Sequence, residues 1–193
     1  MFQVIKPDSP DQTICRNNTT VFLAGSIDNG KAGMWAKTVE GALADFSDVT
    51  LFNPRREEWL PDLLARASEP VFKAQVDWEL DRIDMTDLGA SNPGCDIPFF
   101  YFEAGSVSPI TLQELGFVIG TRRGLLIPKN EPFTHAPVVV CPDGFWRKGN
   151  VEIMCARSNI TVYDDIESGI EALKIAVELD RSWRAERTNK RGW

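Results

Sequence analysis

The sequence predicts an α/β protein with a five-stranded parallel sheet covered by helices on both faces, and three observations carry that prediction. Short apolar runs at 20–25, 49–52, 97–102, 136–141 and 159–163 alternate with segments whose apolar residues fall at helical spacing,. Strands that alternate with helices imply parallel pairing with both sheet faces covered. The chain has 193 residues, enough for one domain with a sizeable core and too few for a second of ordinary size. Right-handed crossovers then give a three-layer doubly wound α/β/α sandwich, with its ligand crevice at the carboxyl ends of the strands.

The elements follow in order. The first strand closes on Gly25, where a ligand can approach the backbone, and leads into the loop Ser26-Ile-Asp28-Asn-Gly30,. That opening is neither a GxGxxG turn nor a P-loop, so the usual dinucleotide and triphosphate signals are missing. A helix at 34–46 carries Trp35, Val39, Leu43 and Phe46, and a second strand at 49–52 ends in Asn53-Pro-Arg-Arg56. That quartet reads either as a turn with two solvated arginines or as a substrate contact. A short helix is expected at 59–64. A longer one starts at Pro70 and runs to about residue 86, with Phe72, Val76, Leu80 and Ile83 toward the core. Gln75 and Glu79, four apart, share another face of it with Trp78, which is either solvated or part of a site.

A loop at 87–96 precedes the third strand. Ser108 then suits an N-cap and Pro109 the first position of a helix. Ile110, Leu112, Leu115, Phe117, Val118 and Ile119 make that helix mostly buried. Glu114 sits among them, close to the carboxyl end of a strand, so it either pairs with a structural partner or does chemistry. An irregular stretch at 124–135, a fourth strand, the loop 142–149, a short helix at 150–156, a fifth strand and a helix at 166–179 complete the sequence. The domain is expected to span 1–180, with a basic tail from Arg181 that frays.

Composition narrows the function. The formal net charge is −7, which argues against a nucleic-acid polymer as partner but leaves a free nucleoside or nucleotide open. The first residues carry no signal-peptide core and no run reaches membrane-spanning length, so a cytoplasmic location is expected. Cys15, Cys95, Cys141 and Cys155 show no CxxC spacing and read as reduced thiols,. His135 is the single histidine, and it is expected in a surface loop. No metal and no cofactor is expected, and any catalysis falls to carboxylates.

Five short motifs, in this order, are similar to those of the nucleoside 2-deoxyribosyltransferase-like family. They are Phe22-Leu-Ala-Gly-Ser-Ile-Asp28, Asn53-Pro-Arg-Arg56, Gln75-Val-Asp-Trp-Glu-Leu80, Ser108-Pro-Ile-Thr-Leu-Gln-Glu-Leu-Gly116 and Gly144-Phe-Trp-Arg-Lys-Gly-Asn-Val151. The resemblance covers roughly 21–163. It implies a flavodoxin-like fold, cleavage of the N-glycosidic bond of deoxynucleosides, and a covalent deoxyribosyl-enzyme. The family's nucleophile falls on Glu114, and its sugar-positioning or base-protonating acid falls on Glu79. Its asparagine, which reaches the sugar 5′-hydroxyl of a neighbouring subunit, falls on Asn150, so a homo-oligomer with Asn150 acting in trans is implied. Two positions depart from the family pattern. Ser108 stands six residues before the nucleophile, where the transferases usually have an aspartate, and it resembles the small hydroxyls of related 5′-monophosphate N-glycosidases. Glu79 is one methylene longer than the usual aspartate. Val21 occupies the place nearest an expected tyrosine.

The chemistry can also be argued from the residues. Cleavage of a C1′–N bond develops positive charge at C1′, which an ionised carboxylate stabilises or captures, while a second carboxyl handles the proton. Glu114 fills the first role and Glu79 the second, with Asp77 as the substitute. Trp35, Trp59, Trp78, Phe145 and Trp146 are the aromatics available to stack on a base,. Gly25, Ser26, Asp28, Asn53, Trp78, Ser108 and Asn150 complete the expected substrate contacts, for a nucleoside or nucleotide and a free base. Three functions stay open: a deoxyribosyltransferase, a hydrolase of deoxynucleosides or their 5′-monophosphates, and a non-catalytic nucleotide-binding domain. A redox flavodoxin is disfavoured, because the loop after the first strand lacks the Ser/Thr-rich cradle for a flavin phosphate.

Overall fold

The computed structural model describes residues 1–15, 17–26, 34–56, 64–84, 94–124 and 136–190. Among them are six strands and five helices: β1 (Gln3–Ile5), β2 (Thr19–Gly25), α1 (Trp35–Leu43), β3 (Val49–Phe52), α2 (Pro70–Ile83), β4 (Ile97–Tyr101), α3 (Pro109–Gly124), β5 (Val138–Val140), α4 (Lys148–Ala156), β6 (Val162–Tyr163) and α5 (Ile166–Lys190). All six strands run parallel in the order β1-β3-β2-β4-β5-β6. Without β1 this is the flavodoxin-like strand order, whose switch point lies between β2 and β4. The extra edge strand β1 is too short to show a periodicity, so the sequence reading stops at five. Asp28, Trp59, His135 and the expected short helix at 59–64 fall at least partly outside the described residues.

Side chains of successive strand residues point to opposite faces. Val21, Leu23, Leu51, Phe99 and Val140 meet α1 and α5 through Val39, Leu43, Ile170, Leu173 and Val177. Phe22, Ala24, Phe52, Phe100 and Val139 meet α2, α3 and α4 through Ile83, Leu115, Val118, Val151 and Cys155. Gly169 lets α5 lie close on the sheet, since a Cβ there would come within 2.2 Å of Val140 Cγ2. The layer assignment has a consequence for function. It places α2 and α3, which carry Glu79 and Glu114, on the same face.

Several expectations need correction. Ile110 and Phe117 of α3 are exposed, and its core side is Leu115, Val118 and Ile119 with Leu112 partly buried. On α2 Leu80 is exposed while Arg82 and Ile83 are buried. The stripe that α2 turns inward is therefore partly polar, made of Gln75, Glu79 and Arg82 beside Trp78. Hydrophobic spacing could not reveal this, because a polar stripe turns inward only where specific partners await it. Arg82 lies over the Phe52 and Trp78 rings, 5.1 and 5.8 Å from their centroids,. The expected fifth strand begins later than residue 159. Asn159 has φ 54 and completes the turn that ends α4, with Ile160 N–H donating to Cys155 O,.

The tail does not fray at Arg181. Helix α5 continues through Lys190, because its basic residues meet acids at the amino ends of the strands. Arg181 Nε donates to Asp48 Oδ2 at 2.5 Å, and its guanidinium lies 5.1 Å from the Phe46 ring centroid. Arg184 bridges Asp180 at 2.6 Å and Asp96 at 2.5 Å. Thr19 Oγ1 donates to the fully buried Asp180 at 2.6 Å.

Candidate active site

The floor of the candidate site is the switch point, where the loops leaving β2 and β4 meet. Ser26 N–H donates to Tyr101 O at 3.1 Å, and Glu103 N–H donates to Ser26 Oγ at 2.9 Å. These bonds fix Ser26 beside the segment entering α3. There the hydroxyls of Ser26, Ser106 and Ser108 form a closed triangle, with oxygen separations of 2.9, 2.5 and 2.8 Å. All three residues are buried. Ser108 adopts φ 41, a left-handed conformation that costs a non-glycine residue energy and clusters at functional sites. It occupies the expected N-cap position, since Leu112 N–H donates to Ser108 O at 3.1 Å. Its hydroxyl, however, is directed to the other two serines.

Six residues beyond Ser108, in α3, the partly buried Glu114 has no ion pair with any described residue. Burial pushes its carboxyl up to about 8, and the charge of Glu79 adds to the effect,. Glu79 is also partly buried. Its carboxyl is raised by burial too, but a hydrogen bond from Gln75 and the positive charge of Arg56 oppose the rise. Gln75 Nε2 donates to Glu79 Oε1 at 2.6 Å and to Pro54 O at 2.9 Å. Arg56 Nε donates to Gln75 Oε1 at 2.7 Å. Two carboxyls from adjacent helices thus interact, and among the described residues it is Glu79 that has a donor and a nearby cation. Burial and the charge of Glu79 both favour the protonated form of Glu114,.

The other sequence candidates are placed as follows. Gly25 ends β2 under the indole of Trp35, where an added Cβ would lie 2.3 Å from Cζ2. Trp35 Nε1–H donates to Ser26 O at 3.1 Å. The glycine thus admits an indole that clamps the Ser26 loop from the α1 side. Asn53 is buried and organises its turn: its amide donates to Glu40 Oε1 at 2.6 Å and its oxygen accepts from Arg55 N–H at 2.9 Å. Trp78 donates to Gln12 Oε1 at 2.9 Å and packs against Phe22 and Phe52. Phe145 is buried against Phe102. Trp146 is 55% exposed, with its N–H on Val107 O at 3.1 Å and Arg147 over its ring. It is the aromatic left open beside the serine loop. Asn150 lies on the exposed face of α4 with Ile153 and Met154. Among the described residues no group of three or more His, Cys, Asp or Glu is placed to hold a metal ion.

Sequence reading did not single out Ser106, or Gln75 as a partner of Glu79. The i,i+4 spacing of Gln75 and Glu79 was the one available signal. Nothing in the sequence shows that Ser26 and Ser106, 80 positions apart, come into contact.

A family model described as nucleoside 2-deoxyribosyltransferase like matches residues 18–131, more than half of the chain. The chain belongs to that family. The match takes in both carboxylates, Asn53 and the three serines, and it stops short of Asn150. The family is one of glycosyltransferase-like enzymes, and its name points to nucleosides as small-molecule substrates. No curated protein matches the chain. Among the described residues no helix is long and apolar enough to cross a membrane.

Proposed function

We propose that this protein is a 2′-deoxyribosyltransferase that cleaves the N-glycosidic bond of a 2′-deoxynucleoside and passes the sugar to another base. The observation that carries the reading is the Glu114–Glu79 pair at the switch point, two interacting carboxyls of which one is neutralised by neighbours and the other is not. Such a pair divides into a nucleophile and a proton handler. The proton resting on Glu114 passes to the ionised Glu79 as substrate binds. Glu114 then attacks C1′, the C1′–N bond breaks toward the base, and the departing base nitrogen takes the proton from Glu79. In the return half, an incoming base attacks C1′, its proton returns to Glu79, and Glu114 is released as the carboxylate. The missing 2′-hydroxyl favours this chemistry, since it would oppose the developing cation.

One observation supports a second reading. The buried hydroxyl triangle of Ser26, Ser106 and Ser108 is neutral, and a neutral site tolerates a 5′-phosphate where an aspartate would repel it. In that reading the protein is a hydrolase of deoxynucleoside 5′-monophosphates, and water takes the place of the acceptor base. The exposed face of α4 around Asn150, with Ile153 66% exposed, supports a homo-oligomer in which Asn150 reaches a neighbouring site. An active monomer on size-exclusion chromatography contradicts that arrangement.

The deciding experiment incubates the protein with 2′-deoxyinosine or thymidine, with and without adenine, and with the 5′-monophosphates, and separates the products. Deoxyadenosine formed only with adenine establishes transfer. Free base without exchange establishes hydrolysis. No turnover of any substrate removes both readings.

A further inference from the structure

The inward polar stripe of α2 contains a side chain for which the reaction as written has no role. Gln75 makes three hydrogen bonds: it accepts from Arg56 Nε and donates to Pro54 O and to Glu79 Oε1. Its amide orientation is forced rather than chosen. A guanidinium has only donors and a backbone carbonyl only accepts, so the oxygen must face Arg56 and the nitrogen must face Pro54. The remaining N–H then points at Glu79, and rotating the amide would break all three bonds at once.

The geometry points to Gln75 as a positioning residue, clamped by Arg56 and the Pro54 carbonyl, that holds the Glu79 carboxyl in place and, by favouring its anion, makes its protonated form the stronger acid toward the departing base. This deepens the proposed reaction and rests on the reading of the two glutamates as its reacting pair. A donor locked against a carboxylate oxygen stabilises the anion more than the protonated form. Among the described residues, the charged groups acting on the pair are Arg56, from the loop after β3, and the two carboxyls themselves, from α2 and α3. Arg56 hydrogen-bonds Gln75 and reaches Glu79 only through its field. Its larger part is therefore to hold the amide, and its smaller part is to favour the anion directly.

The test is a ¹³C-carboxyl NMR titration of the substrate-free protein, wild type against Gln75→Met and Arg56→Met, with thermal melting to confirm folding. In the wild type Glu79 titrates below Glu114. In Gln75→Met the Glu79 midpoint rises by about one unit or more, the size expected for losing a hydrogen bond to a charged group. Arg56→Met moves it in the same direction by less. A Glu79 midpoint that stays in place in folded Gln75→Met overturns the inference. Turnover of deoxynucleosides is measured separately in the same samples. A shifted midpoint in a protein without turnover leaves the positioning role standing and removes the enzymatic reading. Turnover with an unshifted midpoint does the reverse.

Discussion

The two ends of the sheet treat buried acids in opposite ways. At the amino ends, Asp180 and Asp96 share Arg184, Asp48 has Arg181, and Thr19 and Thr20 supply further hydrogen bonds. At the carboxyl ends, Glu114 has no ion pair among the described residues, and the charge that acts on it is another carboxylate. Both regions are desolvated, so the difference lies in the partners. An acid paired with an arginine ties two elements together. An acid left facing a like charge stores free energy that chemistry can use, and the site adds to this a serine in the left-handed region,. The amino pole thus ties elements of the fold together, and the carboxyl pole holds an acid available for the proposed chemistry.

The largest effect should come from the proposed nucleophile. Glu114→Ala is expected to lower kcat by roughly 10³-fold or more, measured as base exchange, with the fold retained by circular dichroism. Removal of the arginine at the other pole should leave the chemistry alone and strike stability. Arg184→Met removes the cation shared by two carboxylates that repel one another, since Asp180 raises the carboxyl of Asp96. A cost of about 3 kcal/mol follows from the loss of that shared cation, read as a lowered urea midpoint. Asp96 is already raised in the fold, and Arg184 is the charge that holds it down, so without the arginine its carboxyl rises further. The deficit is therefore full at neutral pH and shrinks as the pH falls and Asp96 takes up a proton. A deficit of the same size at pH 5 and pH 7 contradicts the like-charge account.

Legibility in the sequence divides along the same line. Alternating strands and helices gave the layers and the parallel sheet, because apolar periodicity reports burial directly. Glu114 stands out as a carboxylate among apolar helix residues after a strand, and the family motifs propose roles for it and for Glu79. What stayed hidden depends on contacts between distant positions. Arg181 and Arg184 read as a basic tail until Asp48, Asp96 and Asp180 are placed beneath them. Gln75 reads as either solvated or part of a site until Arg56 and the Pro54 carbonyl meet it, and Gly25 reads as open backbone until Trp35 fills the space above it. Each is a polar or close contact in which local sequence carries one partner and the fold supplies the other.

A smaller change should decide between nucleoside and 5′-monophosphate. Ser108→Asp places at the serine triangle the acid that the transferases usually have. Aspartate is among the residues that tolerate the left-handed region, so φ 41 should not block folding,. If the triangle receives a phosphate, the variant loses 5′-monophosphate turnover by roughly tenfold or more through like-charge repulsion. Deoxynucleoside turnover should change far less. Equal losses on both substrates would show that the triangle does not read the 5′ group.

The subtlest expectation returns to the unpaired carboxyl and its effect on the whole fold. Glu114 is raised to about 8, well above its value in an unfolded chain. The native state therefore holds a proton that the unfolded state has already released. Stability from this group is fully present below the unfolded value and is lost as the pH climbs through about 8,. Glu114→Gln keeps the shape and removes the titration. Its melting temperature should match the wild type near pH 5 and exceed it at pH 9 by about 2 °C or more. The same proton is the one the departing base needs, so wild-type kcat/KM should fall over the same alkaline range. A variant no more stable at pH 9 than the wild type would mean that Glu114 is satisfied in the fold, and the contrast between the two poles would lose its basis.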